Sequence, residues 1–218
     1  MIGQKSKGEA FLQKIKEKGT KQILNVKIST LKKKQKISLL DEILHSGEGG
    51  FSEGKPIIIV PALPMKGNIC LANAYDFIVK GVYKDGEQAQ NNLPPEEQLR
   101  EKIEFEYSVQ NKRVKFEVYD SVTAFTKGHW KRVVALFAQG QDWQFKDWPS
   151  KESIVDIFLK VRGYYMNFAD MTPPANVKKW NVKILPVHRN LRHADQSLKK
   201  EFWDDMNDFM FKERYKGK

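Results

Sequence analysis

Two short, uninterrupted apolar runs, residues 57–60 and 133–138, constrain the fold of this chain more than any other feature of its sequence. The first reads Ile-Ile-Ile-Val and stops at Pro61, and the second reads Val-Val-Ala-Leu-Phe-Ala. Each run is too short for a core helix, and neither alternates with polar residues as a half-exposed strand does. Both therefore predict central strands of a sheet that is covered on its two faces.

The rest of the pattern alternates strands with helices. A helix is predicted from about Asn68, and the polar residues 84–98 are interpreted as a loop. Alternating apolar and charged residues predict strands at 103–107 and 114–118, joined as a hairpin. The elements expected further along are a helix at 154–161 ended by Gly163, strands at 164–168 and 182–187, and an amphipathic helix carrying Leu198, Phe202, Met206, Phe209 and Met210. This order predicts an α/β domain with a mixed sheet and helices on both faces.

The positive charge is concentrated at the N-terminus. Residues 1–37 hold 11 Lys but only two acids, and so carry nine of the eleven net positive charges of the chain. A Gly-Glu-Gly-Gly linker follows at 47–50. We therefore expect a basic extension, partly helical or disordered, over residues 1–50 and the α/β domain over residues 51–218. A cluster in the extension is typical of nucleic-acid binding or nuclear localisation, and consists of Lys32, Lys33, Lys34 and Lys36.

No segment of the sequence suits a membrane. The longest apolar stretch, residues 57–65, has nine residues and two prolines, whereas a membrane-spanning helix needs about 20. The single cysteine, Cys70, cannot form an internal disulfide, which indicates a reduced, intracellular protein. We expect no membrane partner.

The turn after the first predicted strand is where a nucleotide-binding α/β fold holds phosphate with a glycine-rich backbone. Here Pro61 and Pro64 remove backbone donors, and Lys66-Gly67 reverses the order found in a phosphate-binding loop. The sequence thus predicts a degenerate nucleotide site. The four histidines have no cysteine or carboxylate at metal-ligand spacing. We therefore expect neither a metal nor another cofactor, and no enzymatic activity.

An aromatic loop, residues 140–148, follows the second apolar run at its carboxyl end, where open α/β sheets bind ligands. Exposed aromatic rings are costly unless they pack or bind, so Trp143 and Phe145 either contact a partner or cap the core. Arg132, at the start of the same run, is suited to an acidic partner. The candidate partner-binding residues are Arg132, Trp143, Gln144 and Phe145, with Arg189 and Arg192 as a second basic patch.

Five sequence runs follow one another along the chain: GKPIIIVPA at 54–62, WKRVVALF at 130–137, WQFKDWP at 143–149, VDIF at 155–158 and VKKWNV at 177–182. Together they resemble the C-terminal domain of the parafibromin family, over about three quarters of the chain. The resemblance implies a Ras-like α/β fold without a working nucleotide site. Residues 81–112 match this family poorly. A long N-terminal region precedes the domain in the family, so we expect this chain to be either a fragment or a shortened version.

The resemblance further implies a subunit of the nuclear polymerase-associated factor complex, which acts with RNA polymerase II in transcription elongation, associates with chromatin and supports histone modification. On this basis we expect a nonenzymatic, nuclear protein-interaction module. Its partners would be other subunits of the complex and the phosphorylated tails of the polymerase or of elongation factors. A phosphorylated residue carries about two negative charges and three acceptor oxygens, which suit Arg and Lys beside an aromatic ledge. The alternative is a nucleic-acid-binding protein that acts through the Lys-rich extension.

The basic extension generates the first testable prediction. Replacing Lys32, Lys33, Lys34 and Lys36 by Gln in the full chain should weaken nonspecific binding to duplex DNA. Each phosphate neutralised contributes about −0.9 to the slope of log affinity against log salt concentration, so losing four contacts should flatten that slope by about 3–4. Fluorescence anisotropy across a salt series measures both quantities. An unchanged slope would mean that these lysines do not contact DNA.

Overall fold

Strands and helices alternate along the described residues, which are 55–109, 112–148 and 153–212 of a computed structural model. The strands are β1 (Ile57–Ile59), β2 (Lys102–Val109), β3 (Lys112–Tyr119), β4 (Val133–Phe137), β5 (Arg162–Phe168) and β6 (Val182–Val187). The helices are α1 (Leu71–Tyr75), α2 (Gly86–Asn91), α3 (Pro95–Gln98), α4 (Lys127–Arg132), α5 (Ile154–Lys160) and α6 (Ala194–Lys212). A π turn (Asp76–Lys80) continues α1, and two 3₁₀ turns cover Asp142–Phe145 and Val177–Lys179.

The six strands form one mixed sheet in the order β2–β3–β1–β4–β5–β6. β1 pairs in parallel with β3 and with β4, and the parallel pairing continues through β5 to β6. Among the described strands β2 pairs with β3 alone, in the antiparallel hairpin that the sequence predicts. The two apolar runs thus form the two neighbouring central strands, as predicted.

Helices cover both faces of this sheet. The side chains of β1 alternate between the two faces and so enter two different cores. Ile58 joins a core with α1 and α6, while Ile57 and Ile59 join a second core with α5 and the 3₁₀ turns. All three isoleucines are almost completely buried. The residues of α6 that enter the first core include Leu198, Phe202, Met206 and Met210, which confirms the predicted apolar face.

Two predicted elements differ from the structure. Residues 84–98 form α2 and α3 rather than a plain loop. The Asp85 carboxylate accepts hydrogen bonds from the first backbone N–H groups of α2, and Pro94 and Pro95 start α3, where a missing N–H is tolerated. Gly163 does not end α5, which stops at Lys160, but lies within β5.

The predicted boundary at residue 50 and the four lysines of the basic cluster lie outside the described residues and stay predictions. Among the residues that are described, no helix combines the length and apolarity needed to cross a membrane.

The close packing around Gly163 predicts that a larger side chain there lowers the stability of the fold. A Cβ atom added there would lie 2.3 Å from Cδ1 of Phe158 and 2.6 Å from Cγ1 of Val182, both in the packed core. Gly163→Ala should therefore lower the free energy of unfolding by about 3 kcal/mol, as overpacking does. Urea unfolding followed by tryptophan fluorescence measures the change.

Gly128 in α4 provides the matched control, because the nearest atom to its added Cβ is 3.6 Å away. Gly128→Ala should stabilise the protein by about 0.5–1 kcal/mol through helix propensity. Equal effects of the two substitutions would contradict the packing described for β5.

Candidate partner-binding site

The carboxyl ends of β1, β4, β5 and β6 meet at one edge of the sheet, because these strands run parallel. Five of the six predicted partner-binding residues follow these ends. Trp143, Gln144 and Phe145 come after β4, and Arg189 and Arg192 come after β6. Arg132 precedes β4 and lies at the opposite, amino edge. The structure therefore brings the residues to one edge, with the exception of Arg132.

Gln144 and Phe145 hold the aromatic loop in place. The Gln144 side chain accepts a hydrogen bond from the Gln139 N–H at 2.8 Å and donates one to the Phe137 carbonyl at 2.9 Å, closing the end of β4. Phe145 is buried and packs edge-on against Phe158 and Trp180. Both side chains are thus occupied within the domain.

Trp143 is different, since its side chain is 57% exposed. Leu63 and Met65, in the turn after β1, are also exposed. Gln139 joins the two loops: its Nε2 donates to the Leu63 carbonyl at 3.5 Å and lies 3.8 Å from Sδ of Met65, while its N–H binds Gln144 beside Trp143. We call Leu63, Met65 and Trp143 the apolar patch.

A pocket of about 370 Å³ opens at the same edge, beyond β5 and β6. Arg189 lies with its guanidinium 3.9 Å from the ring centre of Phe168, and that of Arg192 lies 5.2 Å from the ring centre of Tyr83. Both guanidinium groups therefore lie over aromatic rings within the distance of a cation–π interaction, which restricts their position. We call this cavity the arginine pocket; its remaining lining residues are Lys84, Asp85, Gln88, Ala89 and Asn92.

The polar groups of Arg192 are only partly used. Its Nη1 donates to the Tyr83 carbonyl at 2.9 Å and pairs with the buried carboxylate of Asp195 at 3.1 Å. Its Nε and Nη2 are buried and have no hydrogen-bond partner among the described residues. These two N–H groups form the side of the guanidinium that binds a carboxylate or phosphate with two parallel hydrogen bonds.

Arg189 has an exposed partner. Its Nε donates to Asp170 at 2.7 Å, and this hydrogen bond holds the pKa of the Asp170 carboxyl below its usual value. Both side chains of the pair are about half exposed or more, and exposed ion pairs contribute little to stability. An incoming anion would therefore compete with Asp170 for Arg189 at small cost.

The turn after β1 connects the apolar patch to the arginine pocket. At its far end Gly67 donates its N–H to the Tyr83 hydroxyl at 2.8 Å, and burial raises the pKa of Tyr83 to about 12, so this phenol is neutral. Gly67 has a φ of +78°, and an added Cβ would lie 2.9 Å from the Phe168 ring. The turn thus packs directly on the two rings that support the arginines.

Arg132, at the amino edge, is engaged inside the domain. Its Nη1 donates to the Glu117 carboxylate at 2.7 Å and to the Lys55 carbonyl at 2.6 Å. Both charged side chains of the pair are buried. Burial alone would raise the pKa of Glu117, but hydrogen bonds from Lys102 and Arg132 outweigh it and hold that pKa below its usual value. This arrangement ties β1, β3 and α4 together.

Sequence reasoning missed the aromatic half of the arginine pocket. Tyr83 and Phe168 are far apart in sequence, and neither stands beside a basic cluster. The one local signal was Gly67, whose position after two prolines marks a turn with unusual backbone geometry. Within the described residues, no group of three or more His, Cys, Asp and Glu side chains is placed to hold a metal ion.

Comparison with known proteins identifies the family of this domain. Residues 52–209 match the family model described as "RNA pol II accessory factor, Cdc73 family, C-terminal". The chain belongs to the Cdc73 family. The Cdc73 family consists of transcription-related accessory factors of RNA polymerase II. The match confirms the resemblance that the five sequence runs indicated.

Two relatives and one solved structure show how far the similarity extends. The chain is 35% identical over 171 residues to "Protein CDC73 homolog" of Arabidopsis thaliana, covering 77% of this chain and 41% of that protein. It is 28% identical over 174 residues to "Cell division control protein 73" of Saccharomyces cerevisiae, covering 78% and 42%. The structure titled "The conserved domain of yeast Cdc73" matches with a TM-score of 0.65 and 27% identity, over 74% of this chain and 99% of that one.

These matches concern one part of the Cdc73 relatives. The chain spans about two fifths of the length of the two named proteins, whereas it covers nearly all of the solved conserved domain. The structural match confirms the Ras-like α/β class for this Cdc73-family domain.

The contrast between Trp143 and Phe145 in this Cdc73-family domain can be tested directly. Phe145→Ala should lower the free energy of unfolding by about 3–5 kcal/mol, because the ring is buried among aromatic neighbours. Trp143→Ala should change it by less than about 0.5 kcal/mol, as exposed positions do. Guanidinium unfolding followed by circular dichroism measures both. A large loss of stability in Trp143→Ala would identify Trp143 as a core residue and remove it from the apolar patch.

Proposed function

We propose that this Cdc73-family domain is a nonenzymatic protein-interaction module of a nuclear transcription-elongation complex. It binds phosphorylated, acidic peptide tails, such as those of RNA polymerase II or of elongation factors, at the carboxyl edge of its sheet. Through these contacts it links the other subunits of the complex to the polymerase and to chromatin. The family relationship supports a role with RNA polymerase II, and the arginine pocket supports the binding of phosphorylated peptides.

The observation that carries the proposal is the pair of guanidinium groups fixed on aromatic rings in the arginine pocket. Arg189 lies on Phe168 and Arg192 lies on Tyr83. Two N–H groups of Arg192 are left without a partner among the described residues. A phosphorylated side chain supplies three acceptor oxygens and about two negative charges, which suit the Arg189 guanidinium, whose side chain is 48% exposed, and the exposed part of Arg192 beside it.

The same edge gives no support to nucleotide hydrolysis. Phosphate-binding loops offer successive backbone N–H groups at the start of a helix. Here Pro61 and Pro64 interrupt the turn, and the Gly67 N–H is taken by Tyr83. The backbone that would hold a nucleotide instead packs against the rings beneath the arginines.

Arg189 offers the cleaner test of the pocket, because Arg192 also fastens the backbone at Tyr83. The protein is the full chain with Lys32, Lys33, Lys34 and Lys36 replaced by Gln, which reduces charge-driven binding by the extension. The probe is a fluorescent 12-residue peptide of Asp, Glu, Gly and Ser with one central phosphoserine, compared with its unphosphorylated form. Phosphorylation should raise affinity about ten-fold or more, the equivalent of one charge-assisted hydrogen bond.

Arg189→Ala should remove most of that gain. Asp170→Asn should increase the gain in affinity from phosphorylation two- to three-fold, because the substitution removes the carboxylate that competes for Arg189. Arg113→Ala is the matched control: it removes an exposed arginine from β3 near the amino edge, and should leave the affinity within two-fold. Equal binding of the two peptides, or equal losses in Arg189→Ala and Arg113→Ala, would contradict phosphate recognition in the pocket.

Nucleic-acid binding through the Lys-rich extension remains the second candidate function. The charge of residues 1–37 favours it, and those residues lie outside the described part of the chain. The two functions involve separate residues, so the salt-slope measurement and the phosphopeptide measurement decide them independently.

A further inference from the structure

We propose that the apolar patch is a second subsite, which receives one large apolar side chain of the same acidic peptide whose phosphorylated residue enters the arginine pocket. This inference rests on the proposed function and adds a requirement to it. The partner is then a linear segment with a phosphorylated residue and an apolar anchor at a fixed separation.

The three side chains of the apolar patch are exposed to solvent. Trp143 is 57% exposed, Leu63 56% and Met65 48%. Single exposed apolar residues are common on protein surfaces, whereas a group of them rimmed by polar residues marks an interaction site. Here the group is assembled by the fold, since Gln139 connects the turn after β1 with the loop after β4.

The turn after β1 joins the apolar patch to the arginine pocket. Leu63 and Met65 stand near the start of the turn, and Gly67 at its end packs against Tyr83 and Phe168. The patch lies beyond β1 and β4, and the pocket lies beyond β5 and β6. One ligand lying along the carboxyl edge would therefore contact both.

The charges of the segments that form the patch indicate the charge of the occupant. In the turn after β1, the aromatic loop and the 3₁₀ turn at 177–179, the exposed lysines outnumber the exposed acids: Lys66, Lys146, Lys178 and Lys179 stand against Asp142 and Asp147. The loop that carries Lys178 is fastened to the aromatic loop, because Asn176 Nδ2 donates to the Gly140 carbonyl at 2.6 Å. An apolar surface with a basic rim fits an acidic segment that carries an apolar anchor.

The sheet geometry sets the separation. Neighbouring strands are about 4.8 Å apart, so Arg189, which follows β6, lies two strands from Trp143 after β4 and three strands from Leu63 after β1, or about 10–15 Å along the sheet. An extended peptide advances about 3.3 Å per residue. The apolar anchor should therefore stand about four residues from the phosphorylated one.

The experiment uses the full chain with the four lysines of the extension replaced by Gln, and fluorescent acidic 16-residue peptides with one phosphoserine. One Phe is placed two, four or eight residues away, and a fourth peptide has Ser in place of Phe. The Phe at four residues should raise affinity about five-fold or more over the peptide without Phe. The Phe at two residues should give little gain, because it cannot reach Trp143 or Leu63 while the phosphate is bound at Arg189.

Trp143→Ala and Leu63→Ser should each remove the gain from Phe and leave the affinity of the peptide without Phe unchanged. Leu159→Ser is the matched control, because Leu159 is 64% exposed and lies near the end of α5, just before the amino end of β5. The gain should survive in this variant.

Other outcomes separate the inference from the proposed function. If Phe brings no gain, or the gain persists in both patch variants, the second subsite is wrong, while a phosphate effect sensitive to Arg189→Ala leaves the proposed function standing. If phosphorylation has no effect, both are wrong. If instead the patch variants weaken binding to a 20-base-pair DNA duplex, or abolish a dimer seen in sedimentation, the patch serves nucleic acid or a second copy of the chain, and the inference is overturned.

Discussion

The burial of β1 on both of its faces is the constraint on which the other elements depend. This strand has three residues, and all three isoleucines are almost completely buried, pointing alternately into two separate cores. Each such side chain stabilises the fold by about 1.5–3 kcal/mol relative to its exposed state. Because β1 pairs in parallel on both sides, it also fixes which edge of the sheet receives the turn after β1 and the loop after β4.

The two edges of the sheet use their charged residues differently. At the amino edge Arg132 and Glu117 are buried and paired, and Lys102 binds Glu117 as well. Removing one member of such a pair leaves an uncompensated charge, so these residues hold the strands in place. At the carboxyl edge Arg189 and Arg192 lie over aromatic rings, and two N–H groups of Arg192 have no hydrogen-bond partner among the described residues. Arg132 and the two arginines of the arginine pocket are thus separated by the length of a strand.

The sequence allowed the fold to be predicted because its signals are local. The continuous apolar runs at 57–60 and 133–138 and the alternation in β2 and β3 each follow from burial of a single strand. The roles of single residues were harder to predict. Arg132 and Arg189 have the same side chain, and only the position of Glu117, 15 residues away, makes the first a buried pair. Phe145 and Trp143 stand two residues apart in one short turn, and the direction of each ring is set by distant residues such as Trp180.

The C-terminal helix also has a consequence for the order of folding. The carbonyls of Ile78, Val79 and Lys80, at the end of the π turn, lack partners within their own helix and instead accept hydrogen bonds from side chains of α6. The donors are Trp203, Lys199 and Gln196, between 116 and 125 residues further along the chain. During synthesis α6 emerges after α1 and the π turn, so these three carbonyls gain their side-chain donors only once α6 has docked.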